Sequence, residues 1–272
     1  MLTPRFTNRI ILDTGASSGF GLAMTRAFLA EGATVVMVAR NPDRLAKAAT
    51  DMQRLAPGKI LTLSCDVTHR PNVNDAVTKT IAQFGRVDIL VNNAGTGLIA
   101  PVEHIQADDA LALFQTNFFG AFHFTQAILP HMQRQRTGHI INMASVAGLR
   151  GIPNSSIYCA SKAALIAFSD SLRIELRDHG IHVSVICPSR TDDTPFVARA
   201  KKYGLITLYK VPPGLTTDMV VRTTLDAIVH RRRLVILPFH ARLLHFMNKF
   251  FPRAVDNYLH QKMPSLDGDP IS

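Results

Sequence analysis

Apolar residues along this chain fall into short, nearly unbroken runs, and between the runs apolar positions recur every three to four residues. The first kind of pattern predicts buried strands and the second predicts amphipathic helices. Asn8 to Asp13 reads as a strand, the turn Thr14 to Gly21 follows it, and a helix pattern through Leu22, Met24, Ala27, Phe28 and Leu29 stops at Gly32. A second strand, Thr34 to Arg40, completes a βαβ unit. The alternation continues with a helix over Asp43 to Leu55, a strand over Ile60 to Cys65, a helix over Asn72 to Phe84 and a strand over Val87 to Val91. Ala107 to Gln135 is helical, with two helices meeting near Asn117, and His139 to Asn142 is again a strand. A helix from Ser156 runs without Gly or Pro to Gly180, and Ile181 to Cys187 follows as a strand.

Apolar strands separated by helices of ten or more residues predict a parallel sheet covered on both faces. The fold class is therefore α/β, a doubly wound, mostly parallel Rossmann-type sheet with a C-terminal helical extension. No composition break marks a linker, so residues 1–238 are expected to form one domain, with a substrate loop over about 189–215. A helix from Thr217 to His230 and a strand from Leu234 to Leu237 close it. Residues 239–272 form a basic amphipathic extension, in which Phe239, Leu243, Phe246, Met247 and Phe250 share one face opposite His240, Arg242, His245 and Lys249, and Pro252 interrupts the helix.

Charge sharpens the view of this tail. The formal net charge is +10, and between Arg231 and Lys262 five arginines and two lysines face one aspartate. Nucleic acid, a membrane surface and a polyanionic cofactor are all candidate partners on charge alone. No recognised nucleic-acid-binding module accompanies it, so no nucleic-acid partner is expected. Two readings of the tail stay open: a helix packed over the pocket or a subunit partner, or a cationic segment making peripheral membrane contact through 239–262. The three cysteines are far apart and show neither disulfide nor metal spacing, so no metal is expected. The chain enters an apolar strand almost at once, leaving no room for a signal peptide, and no apolar run approaches the ~18 residues of a membrane span. The expected location is the cytoplasm, with the membrane periphery as the alternative.

The candidate chemistry begins with two local patterns. Glycines between a strand and a helix let the backbone approach a pyrophosphate, whose charge the free N–H groups of the helix start attract. Tyr158 and Lys162, four apart on a helix, face the same way. An ammonium beside a phenol favours the phenolate and is expected to lower the tyrosine pKa from roughly 10.

Together, Thr14-Gly15-x-x-x-Gly19-x-Gly21, Asn92-Asn93-Ala94-Gly95, Asn117, Ser145 and Tyr158-x-x-x-Lys162 resemble the motifs of the short-chain dehydrogenase/reductase family, in its shorter branch. The resemblance covers Asn8 to about Pro188. It implies that Tyr158 exchanges a proton with a carbonyl or alcohol oxygen, that Ser145 hydrogen-bonds that oxygen, and that Lys162 lowers the tyrosine pKa and holds the nicotinamide ribose. Asn117 would anchor a water linking Lys162 to solvent. The cofactor would lie on Gly15, Ser17, Ser18, Gly19, Phe20 and Gly21, on Asp66 and Val67, on Asn93, Ala94 and Gly95, and on Tyr158, Lys162 and Pro188. An acidic residue at the end of the second strand would accept the adenosine ribose of NAD; Ala39 and Arg40 stand there instead, which favours NADP(H) over NAD(H), with Arg44 as a second candidate.

The resemblance also implies a homo-oligomer paired through the long helices near Asn117 and after Tyr158. Three positions depart from the family pattern: Asp13 ends the first strand where an apolar residue is usual, Ser189 follows Pro188 where glycine is usual, and Thr191 and Thr194 do not align with a single cofactor-contacting threonine. The expected activity is NADP(H)-dependent interconversion of a hydrophobic ketone or aldehyde with its alcohol, in a pocket drawn from Leu149, Ile152, Pro153, Phe196, Leu205, Leu208 and Phe239. The alternatives are a cofactor-binding or membrane-associated scaffold and an NAD-linked alcohol dehydrogenase.

Overall fold

In a computed structural model, which describes residues 4–191, 193–202 and 215–262, the chain winds through nine strands and ten helices among those residues. They run β1 (Ile10–Thr14), α1 (Gly19–Ala30), β2 (Thr34–Ala39), α2 (Pro42–Leu55), β3 (Ile60–Ser64), α3 (Arg70–Phe84), β4 (Ile89–Asn92), β5 (Leu98–Ile99), α4 (Ala107–Phe114) and α5 (Gly120–Gln135). Then follow β6 (Gly138–Met143), α6 (Ser156–Glu175), β7 (Ile181–Pro188), α7 (Phe196–Arg199), β8 (Lys201–Lys202), α8 (Thr217–Val229), β9 (Leu234–Leu237), α9 (Phe239–Phe250) and α10 (Pro252–Lys262). Seven strands pair in parallel in the order β3-β2-β1-β4-β6-β7-β9. This is the doubly wound α/β sheet that the apolar runs predict.

The central strands are buried along their whole length, which is why they read as runs and not as alternations. One face packs Ile11, Val35, Met37 and Val91 against Met24 and Phe28 of α1 and Val220 and Leu225 of α8. The other packs Leu12, Val36, Leu90 and Ile140 against Val73 of α3, Phe124 and Ile128 of α5 and Leu172 of α6. The order of connection reverses between β1 and β4, so the carboxyl ends of these two strands open a crevice where a ligand can sit.

Between α4 and α5 the helix does not break. Gln115–Phe119 takes a π-helical turn, and the two predicted helices are one rod with a register shift at Asn117. The pair β5–β8, joining Leu98 to Lys201 and Ile99 to Lys202, has no counterpart in the sequence pattern, because two-residue strands carry no period.

Asp13 is fully buried on β1. Its Oδ2 accepts a hydrogen bond from Thr25 Oγ1 on α1 at 3.1 Å, while Oδ1 has no partner among the described residues. Burial pushes its pKa well above the ordinary carboxylate value, against the lowering effect of Thr25. A raised folded-state pKa means that the carboxyl favours folding below its unfolded pKa, and that this contribution is lost as pH rises. Asp13→Asn keeps the shape and removes the charge, so it is expected to stabilise the fold by about 1–3 kcal/mol near neutral pH. The gain should vanish near pH 4, as urea titrations at the two pH values would show.

Pro252 separates α9 from α10, as its position predicts. The orientation of α9 is not what a packed amphipathic helix would adopt. Phe239, Leu243, Phe246 and Phe250 are exposed, whereas Ala241, Leu244, His245 and Asn248 are turned toward the body of the protein.

Candidate active site

The crevice at the β1/β4 reversal is a cavity of about 840 Å³. Its floor is the turn after β1. Thr14 Oγ1 donates to Val91 O at 3.1 Å and accepts from Asn93 N at 2.9 Å and Ala94 N at 3.1 Å, so one hydroxyl ties the turn to the end of β4 with its full capacity. Asn93 Nδ2 donates to Thr14 O at 2.9 Å and lies under the glycines. A Cβ on Gly21 would come within 2.5 Å of Gly15 O and 2.6 Å of Asn93 Nδ2, and Gly15 has φ +73°. These two positions admit only glycine without rearrangement.

Ser18, the N-cap of α1, makes no side-chain cap, and the first turn of α1 holds no acidic residue. Its N–H groups and the positive end of the helix dipole therefore face the crevice without a local anion. That cradle fits the pyrophosphate of a dinucleotide.

At the other side of the cavity, β6 leads into a 3₁₀ turn, Val146–Gly148, capped by Ser145 Oγ, which accepts from Ala147 N at 3.2 Å and donates to Pro188 O at 3.3 Å. Gly148 brings this turn against α6, since a Cβ there would lie 2.7 Å from the carbonyl carbon of Lys162. Tyr158 and Lys162 thus face the same way, as their helical spacing predicts, and Ser145 meets them there, as the resemblance implies. Tyr158 hydrogen-bonds Ser145, and its ring lies with its centroid 5.9 Å from Lys162 Nζ and 5.8 Å from the ring centroid of Phe196. Lys162 Nζ is buried and donates to Met143 O at 2.8 Å.

Electrostatics here depart from the expected lowering of the tyrosine pKa. Burial pushes the Tyr158 phenol up to about 12, outweighing the lowering by its Ser145 hydrogen bond. Burial likewise pushes Lys162 down to about 8, with the Cys187 thiol pulling it the other way. Both groups are driven toward their neutral forms by desolvation, which spacing cannot reveal.

Asn117 lies beneath Lys162 and Gly95. Its Oδ1 accepts from Thr96 N at 2.8 Å, and Nδ2 donates to Thr96 O at 3.0 Å and Ser161 Oγ at 3.1 Å. Both side-chain N–H groups are spent on holding the Gly95–Gly97 loop and α6 together.

The far end of the cavity is lined by Ala39, Arg40, Asn41 and Arg44 at the end of β2, with Asp66 and Val67 beside them. Asn41 Oδ1 caps α2 by accepting from Arg44 N at 2.8 Å, and the turn it makes leaves Arg40 exposed at the rim. Asp66 Oδ1 accepts from Thr68 N and Thr68 Oγ1, and the Val67 side chain is buried beside Gly120. Ser17, Ser18, Gly19, Phe20, Ala94, Gly95 and Pro188 also line the cavity, whereas Gly21 sits behind the turn.

Of the expected pocket residues, Ile152, Pro153 and Phe196 line the cavity. Leu149 instead packs beside Leu165 and Val185, and Phe239 is 77% exposed on α9. Leu205 and Leu208 lie outside the described residues. Sequence spacing gave no sign of Arg199, whose Nη1 donates to Ser18 Oγ at 2.9 Å across the mouth of the cradle, nor of Leu259 on α10, which reaches the cavity wall.

The family model for short chain dehydrogenases matches residues 9–203. The chain is 31% identical over 255 residues to a ketoacyl reductase of Nostoc sp., covering 92% of this chain and 88% of that protein. It is 35% identical over 214 residues to the 3-oxoacyl-acyl-carrier-protein reductase of Thermotoga maritima, covering 77% and 85%. The crystal structure of a short-chain dehydrogenase/reductase from Burkholderia phymatum in complex with NAD superposes over the full length of both chains with a TM-score of 0.82 at 26% identity. The family model spanning residues 9–203, with relatives above 30% identical over most of both chains, places this chain in the short-chain dehydrogenase/reductase family of oxidoreductases.

Proposed function

We propose that the protein reduces a hydrophobic ketone or aldehyde at the expense of NADPH. The observation that carries this reading is the meeting of Ser145, Tyr158 and Lys162 at one end of the cavity whose other end is the glycine cradle. The Nostoc and Thermotoga relatives, named as reductases of ketoacyl and oxoacyl groups, support it. A dinucleotide held along the turn of Gly15, Gly19 and Gly21 would supply the hydride.

The proton is the protein's to give. Tyr158, with its phenol held at about 12, is protonated throughout the physiological range and suits the role of donor to a carbonyl oxygen gaining charge. Ser145 Oγ, whose 3.3 Å contact with Pro188 O is long for a hydroxyl donor, can turn its proton to the same oxygen. Lys162, fixed on Met143 O, presents its Nζ beside Gly95 for the ribose. Asn117, by bracing the Gly95–Gly97 loop against α6, keeps the tyrosine and lysine in register with the cofactor floor, and a water relay from Lys162 would pass through this position. The apolar wall of Ile152, Pro153, Phe196 and Leu259 excludes water from the reacting carbon and selects an apolar substrate.

The preference for NADP(H) rests on Ala39 and Arg40, since no carboxylate at the end of β2 would repel a 2′-phosphate. The NAD complex of the Burkholderia relative keeps the NAD-linked reading in play, and affinity measurements separate the two. Arg40→Ala is expected to weaken NADPH binding by about 10–100-fold and to leave NADH binding nearly unchanged. Equal losses for both, or tighter NADH binding by the wild type, would overturn the preference.

Turnover is tested by following NADPH consumption over a panel of aliphatic, aromatic and steroid-like ketones. Intact cofactor binding without turnover on any of them would favour the scaffold. A homo-oligomer is part of the same reading: Phe119 and Ile174, on the rod through Asn117 and on α6, are exposed apolar residues that a second copy would cover.

A further inference from the structure

The helix α9 is built inside out. Helical geometry places Phe239, Leu243, Phe246 and Phe250 on one stripe, and that stripe points away from the protein. Phe239 is 77% exposed, Phe246 57% and Phe250 62%. The side turned inward carries the smaller apolar pair Ala241 and Leu244 together with the polar His245 and Asn248. Asn248 Oδ1 accepts from Arg150 Nη1, and Arg150 also pairs with Asp256 of α10, so polar contacts fasten the helix pair to the loop before α6. A soluble surface helix would show the reverse arrangement. The two phenylalanines Phe246 and Phe250 rest on each other, ring centroids 5.0 Å apart, with no other ring contact among the described residues.

The charge around the stripe decides what can cover it. Arg242 and Lys249 flank it on α9, and Arg231, Arg232 and Arg253 stand exposed nearby in sequence. The one acidic residue of the segment, Asp256, is taken by Arg150. A second copy placed on this face would bring two such cationic segments together, which like-charge repulsion opposes. An anionic lipid surface answers both features, taking the phenylalanines into the acyl boundary and the guanidinium and ammonium groups among its headgroups.

We propose that α9, with its flanking basic residues, docks this protein on anionic membranes. The docking needs no bilayer-crossing helix, and none of the described helices is long and apolar enough to cross one. It also orients the molecule. Leu259 of α10 lines the substrate cavity, and Ile152, Pro153 and Leu259 border both that cavity and a smaller one of about 450 Å³ beneath α10. The helix pair that touches lipid is thus also part of the cavity wall.

The test is co-sedimentation of the full chain with vesicles of phosphatidylcholine and phosphatidylglycerol in equal parts, and with vesicles of phosphatidylcholine alone. The wild type is expected to bind the anionic vesicles at low salt and to lose about tenfold or more of that binding in high salt or without phosphatidylglycerol. The double variant Phe246→Glu/Phe250→Glu should bind at least about tenfold more weakly, while keeping its circular dichroism and its turnover of a water-soluble ketone. Wild type that stays in the supernatant with anionic vesicles overturns the proposal, and so does equal binding by the variant. Sedimentation velocity supplies a further disproof: self-association of the wild type that the double variant abolishes would assign the stripe to a second copy. Vesicle binding is read without any substrate, so its failure leaves the reductase reading standing, and the converse holds.

Discussion

Replacing Tyr158 with phenylalanine is expected to lower kcat by at least about a thousandfold, within the range that a positioned acid–base group contributes. The substitution removes one oxygen and leaves the ring, so the packing against Phe196 and the 5.9 Å approach of Lys162 Nζ both survive. The cradle under Gly15 and Gly21 is untouched, being tied through Thr14 and Asn93 at the opposite side of the cavity. NADPH affinity should therefore change by less than about twofold, and folding stability by about 1 kcal/mol, the worth of the lost hydrogen bond to Ser145. The loss should appear in kcat, since the proton is delivered only as charge develops on the carbonyl oxygen. Substantial residual turnover on a ketone that the wild type reduces would remove Tyr158 as the donor and leave Ser145 to be tested in its place.

The parts of this site that could be read from the sequence are those fixed by short spacings. A strand followed at once by Gly15, Gly19 and Gly21 has few reasons to exist other than close backbone approach, and a Tyr and Lys four apart on a helix must share a face. Once these are placed on alternate βα units, the sheet order brings them together, because the crevice at a reversal of strand order is a property of the topology.

What could not be read depends on three-dimensional surroundings. Thr25 is the partner of Asp13, and nothing in the twelve-residue separation announces it. Arg199 reaches Ser18 across 181 residues. The buried chain from Asn92 Nδ2 to Asn142 Oδ1, and from Asn142 Nδ2 to Ser169 Oγ, stitches β4, β6 and α6 behind the site through residues that look like ordinary strand and helix positions. For α9 the periodicity found the stripe of Phe239, Leu243, Phe246 and Phe250 but set His240, Arg242 and Lys249 opposite it, whereas these three are exposed beside it and Ala241, Leu244, His245 and Asn248 turn inward. The Tyr158 pKa shows the same limit: spacing supplied a neighbouring charge, while the larger effect, desolvation, belongs to the folded surroundings.

That desolvation leads to a second large effect, at Lys162, where stability and function should move in opposite directions. The lysine is buried, and its pKa falls from 10.5 to about 8 on folding. Above the unfolded pKa the side chain is neutral in both states and carries no electrostatic cost. As pH falls through the interval from 10.5 to about 8 the unfolded chain takes up a proton that the folded chain resists, and folding stability is lost. Below that interval the loss is complete, at roughly 3 kcal/mol.

Lys162→Met keeps the length and apolar stem of the side chain and removes the charge. It also leaves Met143 O without its 2.8 Å partner, which offsets about 1 kcal/mol of the gain. The variant should therefore be more stable than the wild type at neutral pH by about 1–2 kcal/mol, seen as a Tm higher by a few degrees. Near pH 10.5 the lost hydrogen bond alone should leave it no more stable, or slightly less. Turnover should drop by about a hundredfold or more if Lys162 holds the ribose as proposed, because the group that faces Tyr158 is gone. Thermal melts of the two proteins at neutral and alkaline pH, set beside their ketone reduction rates, decide the matter. A variant less stable than the wild type at both pH values would show that the buried ammonium costs the fold nothing, and an active variant would show that the chemistry does not need it.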